Sequence, residues 1–307
     1  MTKRKLKEID ASVRQRLLNQ ARESGRPFGE MVQYFAMERF LYRLSKSPHA
    51  NKFVLKGALM LSVWKAPMSR PTMDVDVLGR TDNSVEAIAS ITRDVCRQEV
   101  DADGVVFDPA SVSAERITED AEYEGVRVRF RGNLGTARIT MQLDVGFGDV
   151  VIPATQPTDY PVILDLPAPR LQGYSRESTV AEKLEAMVKL GILNSRMKDF
   201  FDIWLLSQHF DFDGRVLADA VSTTFATRGT AVPPMPTALT MDFARDATKS
   251  TQWRAFIRKT KIAGGPHELE DVIASIAEFV LPVVEAVAGS RRFSRFWKAP
   301  GPWRSRQ

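Results

Sequence analysis

The chain has 307 residues, of which 44% are hydrophobic and 26% are charged, a composition typical of a globular protein long enough to form two lobes. Its single cysteine, Cys96, excludes an intramolecular disulfide and a cysteine-based zinc cluster. No apolar run approaches the length of a membrane span, and no apolar signal region follows the basic start, so we expect a cytoplasmic protein without a membrane partner. The formal net charge of +5 favours a polyanionic partner.

Helical periodicity opens the chain. Val13, Leu17 and Ala21 recur at the spacing of one helix face, and Gly25-Arg26-Pro27 ends that helix. A second apolar stripe runs over residues 28–44. We expect both stripes to face the core, since an amphipathic helix of a globular protein buries its apolar side.

A glycine turn follows the first predicted strand. The apolar run 53–55 leads into Lys56-Gly57-Ala58, and a helix-like stretch continues through Trp64. Glycine at a strand-to-helix turn lets backbone N–H groups approach a phosphate, and the helix N-terminus adds positive potential. Lys56, Gly57 and Ala58 are therefore candidate nucleotide-binding residues, although a Lys-Gly turn alone is more often structural.

Two aspartates one residue apart form the most informative motif. The segment 72–78, Thr-Met-Asp-Val-Asp-Val-Leu, predicts a strand that points Asp74 and Asp76 to one face and its valines to the core. Two carboxylates on one face repel each other unless a cation lies between them, and oxygen-only ligands favour Mg²⁺ or Mn²⁺. The structural alternative is a pair of acids on a solvated strand.

A third carboxylate lies further along the chain. Residues 139–145 alternate like a strand and carry Asp144 near its end. A neighbouring strand would bring Asp144 beside Asp74 and Asp76 and complete a triad suited to two metal ions. The alternative is an acid that only flanks the turn at Gly146.

The strands before Asp144 carry a stripe of arginines. Arg127, Arg129 and Arg131 alternate with apolar residues, which places three guanidinium groups on one strand face. A solvated outer face is favoured over a substrate-binding stripe. Strands are predicted near 105–107, 111–117, 125–131 and 137–145.

Five prolines between Pro153 and Pro169 mark the boundary between the lobes. We predict a first lobe at 1–160, with the N-terminal helices and the acidic strands, a helical second lobe at 161–290, and a tail at 291–307. The second lobe begins with a predicted capping box at Thr179-Val180-Ala181-Glu182, and a further helix starts near residue 194.

Charged residues recur beside the apolar stripes of the second lobe. Lys183 lies early in the first helix, and Asp199 and Asp202 share one face of the next. In a functional interpretation Lys183 binds nucleotide phosphates, and Asp199 or Asp202 orients it or accepts a proton. In the structural alternative, which the residues alone slightly favour, a lysine–aspartate bridge only joins two helices.

The tail combines cations and aromatic rings. Six basic and no acidic residues lie between Gly289 and Gln307, interleaved with Phe293, Phe296, Trp297 and Trp303. Such a pattern suits contacts with phosphates and unstacked bases, as in RNA binding. The equally weighted alternative packs the rings against the body of the protein.

Four stretches in this order resemble the nucleotidyltransferase AbiEii/AbiGii toxin family, which includes the MenT-type tRNA-modifying toxins of type IV toxin–antitoxin systems. They are Leu55-Lys56-Gly57-Ala58, Thr72-Met73-Asp74-Val75-Asp76-Val77, Leu143-Asp144-Val145-Gly146, and Glu182-Lys183-Leu184-Glu185-Ala186 with Lys198-Asp199-Phe200-Phe201-Asp202-Ile203. The resemblance implies a bilobed α+β fold with a polymerase-β-type mixed sheet, N-terminal helices and a helical C-terminal lobe. It also implies an antitoxin partner.

The same resemblance implies residue roles. Asp74 and Asp76 would bind metal, Lys183 would contact the triphosphate, and Asp199 or Asp202 would act as base or orienter. Thr72 would be a small hydroxyl residue near the phosphates. The family usually has glycine or serine where this chain has Ala58, which offers only its backbone N–H.

The leading hypothesis is a Mg²⁺- or Mn²⁺-dependent transfer of a nucleotide from NTP to RNA, at the 3′ end of tRNA, with release of pyrophosphate. A phosphatase with a nucleophilic Asp74 ranks low, because Pro71 shortens the strand that would precede the motif. The remaining alternative is a non-catalytic protein that binds RNA through its basic tail.

Overall fold

The computed structural model describes residues 3–68, 70–118, 124–261 and 264–305, and for residues 3–7, 118 and 124 it describes the backbone only. The chain forms two compact units. Unit 1 comprises Met1–Val63, Thr72–Gly148 and Gln156–Gly173, and unit 2 comprises Trp64–Pro71, Asp149–Thr155 and Tyr174–Gln307. That 1–160, 161–290 and 291–307 act as separate domains stays a prediction.

Unit 1 is built on a mixed sheet of seven strands. Its elements are α1 Lys3–Ser24, α2 Phe28–Lys46, β1 Phe53–Lys56, α3 Leu59–Val63, β2 Asp74–Gly79, α4 Val85–Arg97, β3 Val105–Thr118, β4 Glu124–Leu134, β5 Ala137–Phe147, β6 Gln156–Asp159 and β7 Arg170–Gly173. The strand order is β3-β4-β5-β2-β1-β7-β6. The pairs β2–β5 and β1–β7 are parallel, and the other neighbours are antiparallel. The two strands predicted near 105–107 and 111–117 form one strand, β3, with a register shift between Asp108 and Ser113.

One face of this sheet is apolar and the other is polar, because side chains alternate along each strand. Helices α2 and α4 cover the apolar face. Phe40 on α2 packs there against Phe107 and Phe130, with ring centroids 5.7 and 4.9 Å away. The polar face carries the charged residues of β2, β4 and β5.

Unit 2 is mainly helical. Its elements are α5 Arg176–Leu190, α6 Met197–His209, β8 Phe212–Asp213, α7 Gly214–Thr227, α8 Met241–Arg245, α9 Ala247–Thr260, α10 Leu269–Ala288, β9 Arg295–Trp297 and β10 Trp303–Ser305. The predicted capping box at Thr179 is wrong. Helix α5 begins at Arg176, and the Ser175 hydroxyl caps it by accepting a hydrogen bond from the Ser178 N–H. Thr179 lies within the first turn and donates its hydroxyl to the Ser175 carbonyl.

The predicted tail packs against the rest of unit 2. Strands β9 and β10 form a three-stranded sheet with β8. The Trp297 indole N–H donates to the Ser207 carbonyl at 2.7 Å, and that of Trp303 donates to the Phe279 carbonyl at 2.8 Å. Trp297 is buried, so the arrangement matches the alternative in which the rings pack inward. Arg306 and Gln307 lie outside the described residues.

The predicted α+β fold class is confirmed, with helices before the mixed sheet and a helical part after it. Within the described residues, no helix has both the length and the apolar character needed to cross a bilayer.

Candidate active site

Three carboxylates meet on the polar face of the unit 1 sheet. Parallel pairing of β2 with β5 sets Asp76 opposite Asp144 and Asp74 opposite Gln142. Each of Asp74, Asp76 and Asp144 offers an oxygen, and these oxygens lie within 4.8 Å of one another. An all-oxygen donor set of this size suits a hard divalent cation such as Mg²⁺ or Mn²⁺. The triad predicted as a metal site is therefore assembled in the fold.

The glycine of the Lys56-Gly57-Ala58 turn makes room for one of these carboxylates. Gly57 has φ +73°, and a Cβ built on it would lie 2.7 Å from both Cβ and Cγ of Asp76. Only glycine fits here, because it tolerates the positive φ and leaves the space that the Asp76 carboxylate occupies. Lys56 pairs with Asp76 across β1 and β2, so both residues share the polar face.

The helix after this turn is short. α3 covers five residues, Leu59–Val63, and ends before the predicted Trp64. A helix of little more than one turn carries only a weak dipole, so it adds less positive potential than the sequence suggested.

Thr72 orients the first aspartate. Its hydroxyl donates to Asp74 Oδ1 at 2.5 Å, and the Met73 N–H donates to the same oxygen at 3.2 Å. Thr72 is itself buried, and its N–H donates to the Tyr34 hydroxyl at 3.0 Å. These bonds fix the orientation of the Asp74 carboxylate. A contact between Thr72 and phosphate stays a prediction.

Asp144 is held by an arginine that the sequence placed in the stripe. Arg127 Nε and Nη2 donate to Oδ1 and Oδ2 of Asp144 at 2.9 and 2.7 Å. Gln142 Nε2 also donates to Oδ2 at 3.2 Å. One row across the sheet therefore has a cation at each end and two anions between them, in the order Arg127, Asp144, Asp76, Lys56. The two cations offset the repulsion between the carboxylates.

Unit 2 contains a second charged cluster, which joins α5 to α6. Lys183 Nζ lies 2.7 Å from Asp199 Oδ1 and 2.8 Å from Asp202 Oδ2. Arg196 Nε donates to Asp199 Oδ2 at 2.7 Å. Arg70 forms a two-point pair with Asp202, with Nε and Nη2 at 2.8 and 2.9 Å. The lysine–aspartate bridge of the structural alternative is thus present.

Burial and charge oppose each other in this cluster. Burial by itself raises the pKa of the Asp199 carboxyl, but the Lys183 and Arg196 cations outweigh it and lower that pKa to about 2. The pKa of Asp202 is also lowered, because Arg70 and Lys183 outweigh its burial. Burial would lower the pKa of Lys183, but the two carboxylates raise it. All three groups are charged at neutral pH.

Sequence reasoning missed Arg70 and Arg196 as members of this cluster. Arg70 lies 132 residues from Asp202, and no local pattern links them. Arg196 directly precedes α6 and lies three residues before Asp199, a helical spacing that would have indicated the pair.

Most of the chain matches one known protein family. Residues 39–275 match the family described as nucleotidyl transferase AbiEii toxin, type IV TA system. The chain belongs to this family.

Two solved structures from H. pylori resemble the AbiEii chain. One is a protein named as a candidate nucleotidyltransferase, 13% identical, with a TM-score of 0.48 over 86% of this chain and 98% of that one. The other is JHP933, 12% identical, with a TM-score of 0.47 over 85% of this chain and 92% of that one. No curated protein matches the sequence.

Family membership confirms the predicted AbiEii relationship and with it a toxin of the nucleotidyltransferase class in a type IV toxin–antitoxin system. Such a toxin implies an antitoxin partner. The three aspartates are able to hold a metal ion. The individual roles predicted for Lys56, Ala58, Lys183, Asp199 and Asp202 stay predictions.

Proposed function

We propose that this AbiEii toxin transfers a nucleotide from NTP to the 3′ end of an RNA acceptor, a tRNA, in the cytoplasm, and releases pyrophosphate. The observation that carries the proposal is the triad of Asp74, Asp76 and Asp144 on adjacent strands of a nucleotidyltransferase-family protein. The cognate antitoxin would restrain this activity.

The triad would hold Mg²⁺ or Mn²⁺. Two observations support this assignment: three carboxylate oxygens lie within 4.8 Å of one another, and Gly57 leaves the space that the Asp76 carboxylate occupies. When bound, such a cation neutralises the carboxylates and stabilises charge on the entering and departing oxygens of phosphoryl transfer. The protein's own contribution is to fix the ligands: Thr72 orients Asp74, and Arg127 holds Asp144.

In the proposed reaction an RNA hydroxyl oxygen bonds to the α-phosphorus of the NTP. The bond from that phosphorus to the pyrophosphate oxygen breaks, and the hydroxyl proton passes to water. We propose that Lys183 contacts the triphosphate and offsets charge on the leaving pyrophosphate. Lys56 and the backbone N–H groups of Gly57 and Ala58 would bind phosphate oxygens as well.

Asp199 and Asp202 suit the role of orienting Lys183 better than that of a base. A carboxylate with a lowered pKa is a poor proton acceptor at neutral pH. Both aspartates form ion pairs with Lys183, and these pairs fix the direction of the Lys183 ammonium group. Of the two roles expected from the sequence, we therefore propose the orienting one.

The test is to incubate purified protein with total tRNA, Mg²⁺ and each labelled NTP in turn. Asp74→Asn and Asp76→Asn should abolish incorporation while thermal denaturation shows a folded protein. Asp159→Asn is the matched control, because Asp159 is also a strand aspartate of unit 1, is exposed, and pairs with Arg170. It should retain wild-type incorporation. Incorporation retained by the Asp74 and Asp76 variants would count decisively against this mechanism.

A further inference from the structure

The polar face of the unit 1 sheet carries a line of arginines that begins at the carboxylate triad. We define the arginine strip as Arg127, Arg129 and Arg131 of β4. Pairing of β4 with β5 sets Arg127 opposite Asp144, Arg129 opposite Gln142 and Arg131 opposite Thr140. Directly paired residues share one face of a sheet, so the strip and Asp144 share a face.

The register continues from the strip to the other two carboxylates. Gln142 pairs in turn with Asp74, so Arg129 and Asp74 lie in one row across the sheet. Two strand spacings, about 9.5 Å, separate their backbones. Successive arginines of the strip are about 6.8 Å apart along β4, a separation comparable to that of neighbouring phosphates in a nucleic acid strand. The strip therefore leads away from the triad in steps that suit a phosphate backbone.

The outer arginines are accessible. The side chains of Arg129 and Arg131 are 47% and 71% exposed, against 24% for Arg127. Arg129 pairs with Glu115 at 2.6 Å, and Arg131 lies 3.7 Å from Asp108. Exposed ion pairs of this kind contribute little to the stability of a fold, so a phosphate can replace the carboxylate at little cost.

The residues paired directly with the strip are all polar. They are Asp108, Ser113 and Glu115 of β3 and Thr140, Gln142 and Asp144 of β5. Val106, which pairs with Asn133 beyond the end of the strip, is exposed and apolar. A protein partner would need an apolar centre on its interface, whereas a nucleic acid backbone needs only cations and hydrogen-bonding groups. Arg138 pairs with Asn133 and adds a guanidinium beyond Arg131. The composition of this face therefore favours RNA over protein.

We propose that the polar face of the unit 1 sheet is the acceptor surface, on which the RNA backbone lies with its phosphates on Arg129 and Arg131 and its 3′ end toward the triad. This inference rests on the proposed function, since it takes the acceptor to be RNA. The sequence alone favours a solvated outer face for the strip. The register of Arg129 with Asp74 and the polar residues paired with the strip support substrate binding instead.

The experiment compares Arg129→Ala/Arg131→Ala with wild type and with Arg170→Ala. Arg170 is a matched control, because it is also an exposed strand arginine of unit 1, paired with Asp159 at 3.4 Å. Total tRNA is the probe, and its binding is measured by fluorescence anisotropy over a range of salt concentrations. The double variant should bind tRNA about tenfold more weakly. Its slope of log affinity against log salt should fall by about 1 per arginine.

Kinetics separate the acceptor from the nucleotide. The double variant should raise KM for tRNA and leave KM for NTP and the binding of Mn²⁺ unchanged, while Arg170→Ala behaves as wild type. If wild type extends tRNA and the double variant does so with the same KM and the same salt slope, the acceptor surface is refuted and the proposed function stands. If wild type neither binds nor extends tRNA, the proposed function fails and the acceptor surface fails with it.

Discussion

The sharpest structural prediction concerns Gly57, the residue that admits Asp76 to the triad. We expect Gly57→Ala to remove nucleotidyl transfer without unfolding the protein. Gly25→Ala is the matched control, since Gly25 has φ +67° and a Cβ there would meet nothing within 4 Å. Both variants place alanine at a positive φ, so both should lose about 1–2 kcal/mol of stability.

The two variants differ only in what the new methyl group meets. At Gly57 its nearest neighbour would be Asp76 Oδ2, and it would lie 2.7 Å from Cβ and Cγ of Asp76, against an ordinary contact of 3.4 Å or more. Asp76 must therefore move by more than about 0.7 Å. If the strand resists, overpacking adds about 1–3 kcal/mol to the loss of stability. If the strand yields, the carboxylate leaves its position, and a misplacement near 1 Å costs about a hundredfold in rate.

Thermal denaturation with and without Mn²⁺, together with incorporation of labelled NTP, measures both effects. Gly57→Ala should lose most of its stabilisation by Mn²⁺ and its activity, and Gly25→Ala should keep both. Wild-type Mn²⁺ stabilisation and activity in Gly57→Ala would refute the argument that this glycine is required by Asp76.

Two further predictions concern buried charges. Lys183→Met should destabilise the protein by about 3 kcal/mol in chemical denaturation, because it removes a cation from the buried Asp199 and Asp202. The control Lys183→Arg should stay close to wild type. Equal stability of Lys183→Met and wild type would contradict this prediction. Burial raises the pKa of Glu38 from 4.5 to about 7. The folded state therefore keeps a proton that the unfolded chain releases above pH 4.5. The free energy of unfolding should fall by about 3 kcal/mol as the pH rises from 4.5 through 7. The Glu38→Gln side chain can still accept the hydrogen bond from the Ile163 N–H. This variant should lose the dependence of stability on pH between about pH 5 and 8. An unchanged dependence would show that Glu38 is not its source.

The acidic pair and the family could both be predicted from short stretches of the sequence. A strand alternates its side chains, so Asp74 and Asp76 share a face wherever that strand lies. The buried face of α1 follows from its 3.6-residue period in the same way, whereas α2 is buried on nearly all sides between Met31 and Leu44. The family could be predicted because its motifs lie in short segments whose residue types and order are readable without coordinates. The family match over residues 39–275 confirms that prediction.

Two predictions from local sequence patterns, the helix cap at Thr179 and the separate strands near 105 and 111, are wrong. Thr179 has the residue pattern of a cap, but Ser175 lies four residues earlier and takes that role, so α5 starts sooner. The strands predicted near 105–107 and 111–117 form one strand because β3 continues through a register shift between Asp108 and Ser113.

The residue types available for chemistry are readable from the sequence alone: paired aspartates after Thr72, a glycine turn, and a lysine with two aspartates in the helical part. The partners of these residues depend on the folded structure, which sets Asp144 beside Asp76, Arg129 in the row of Asp74, and Arg70 on Asp202. These pairings depend on strand register and helix packing between distant segments. Register and packing are set by the free energy of the whole core, which no short stretch of sequence contains.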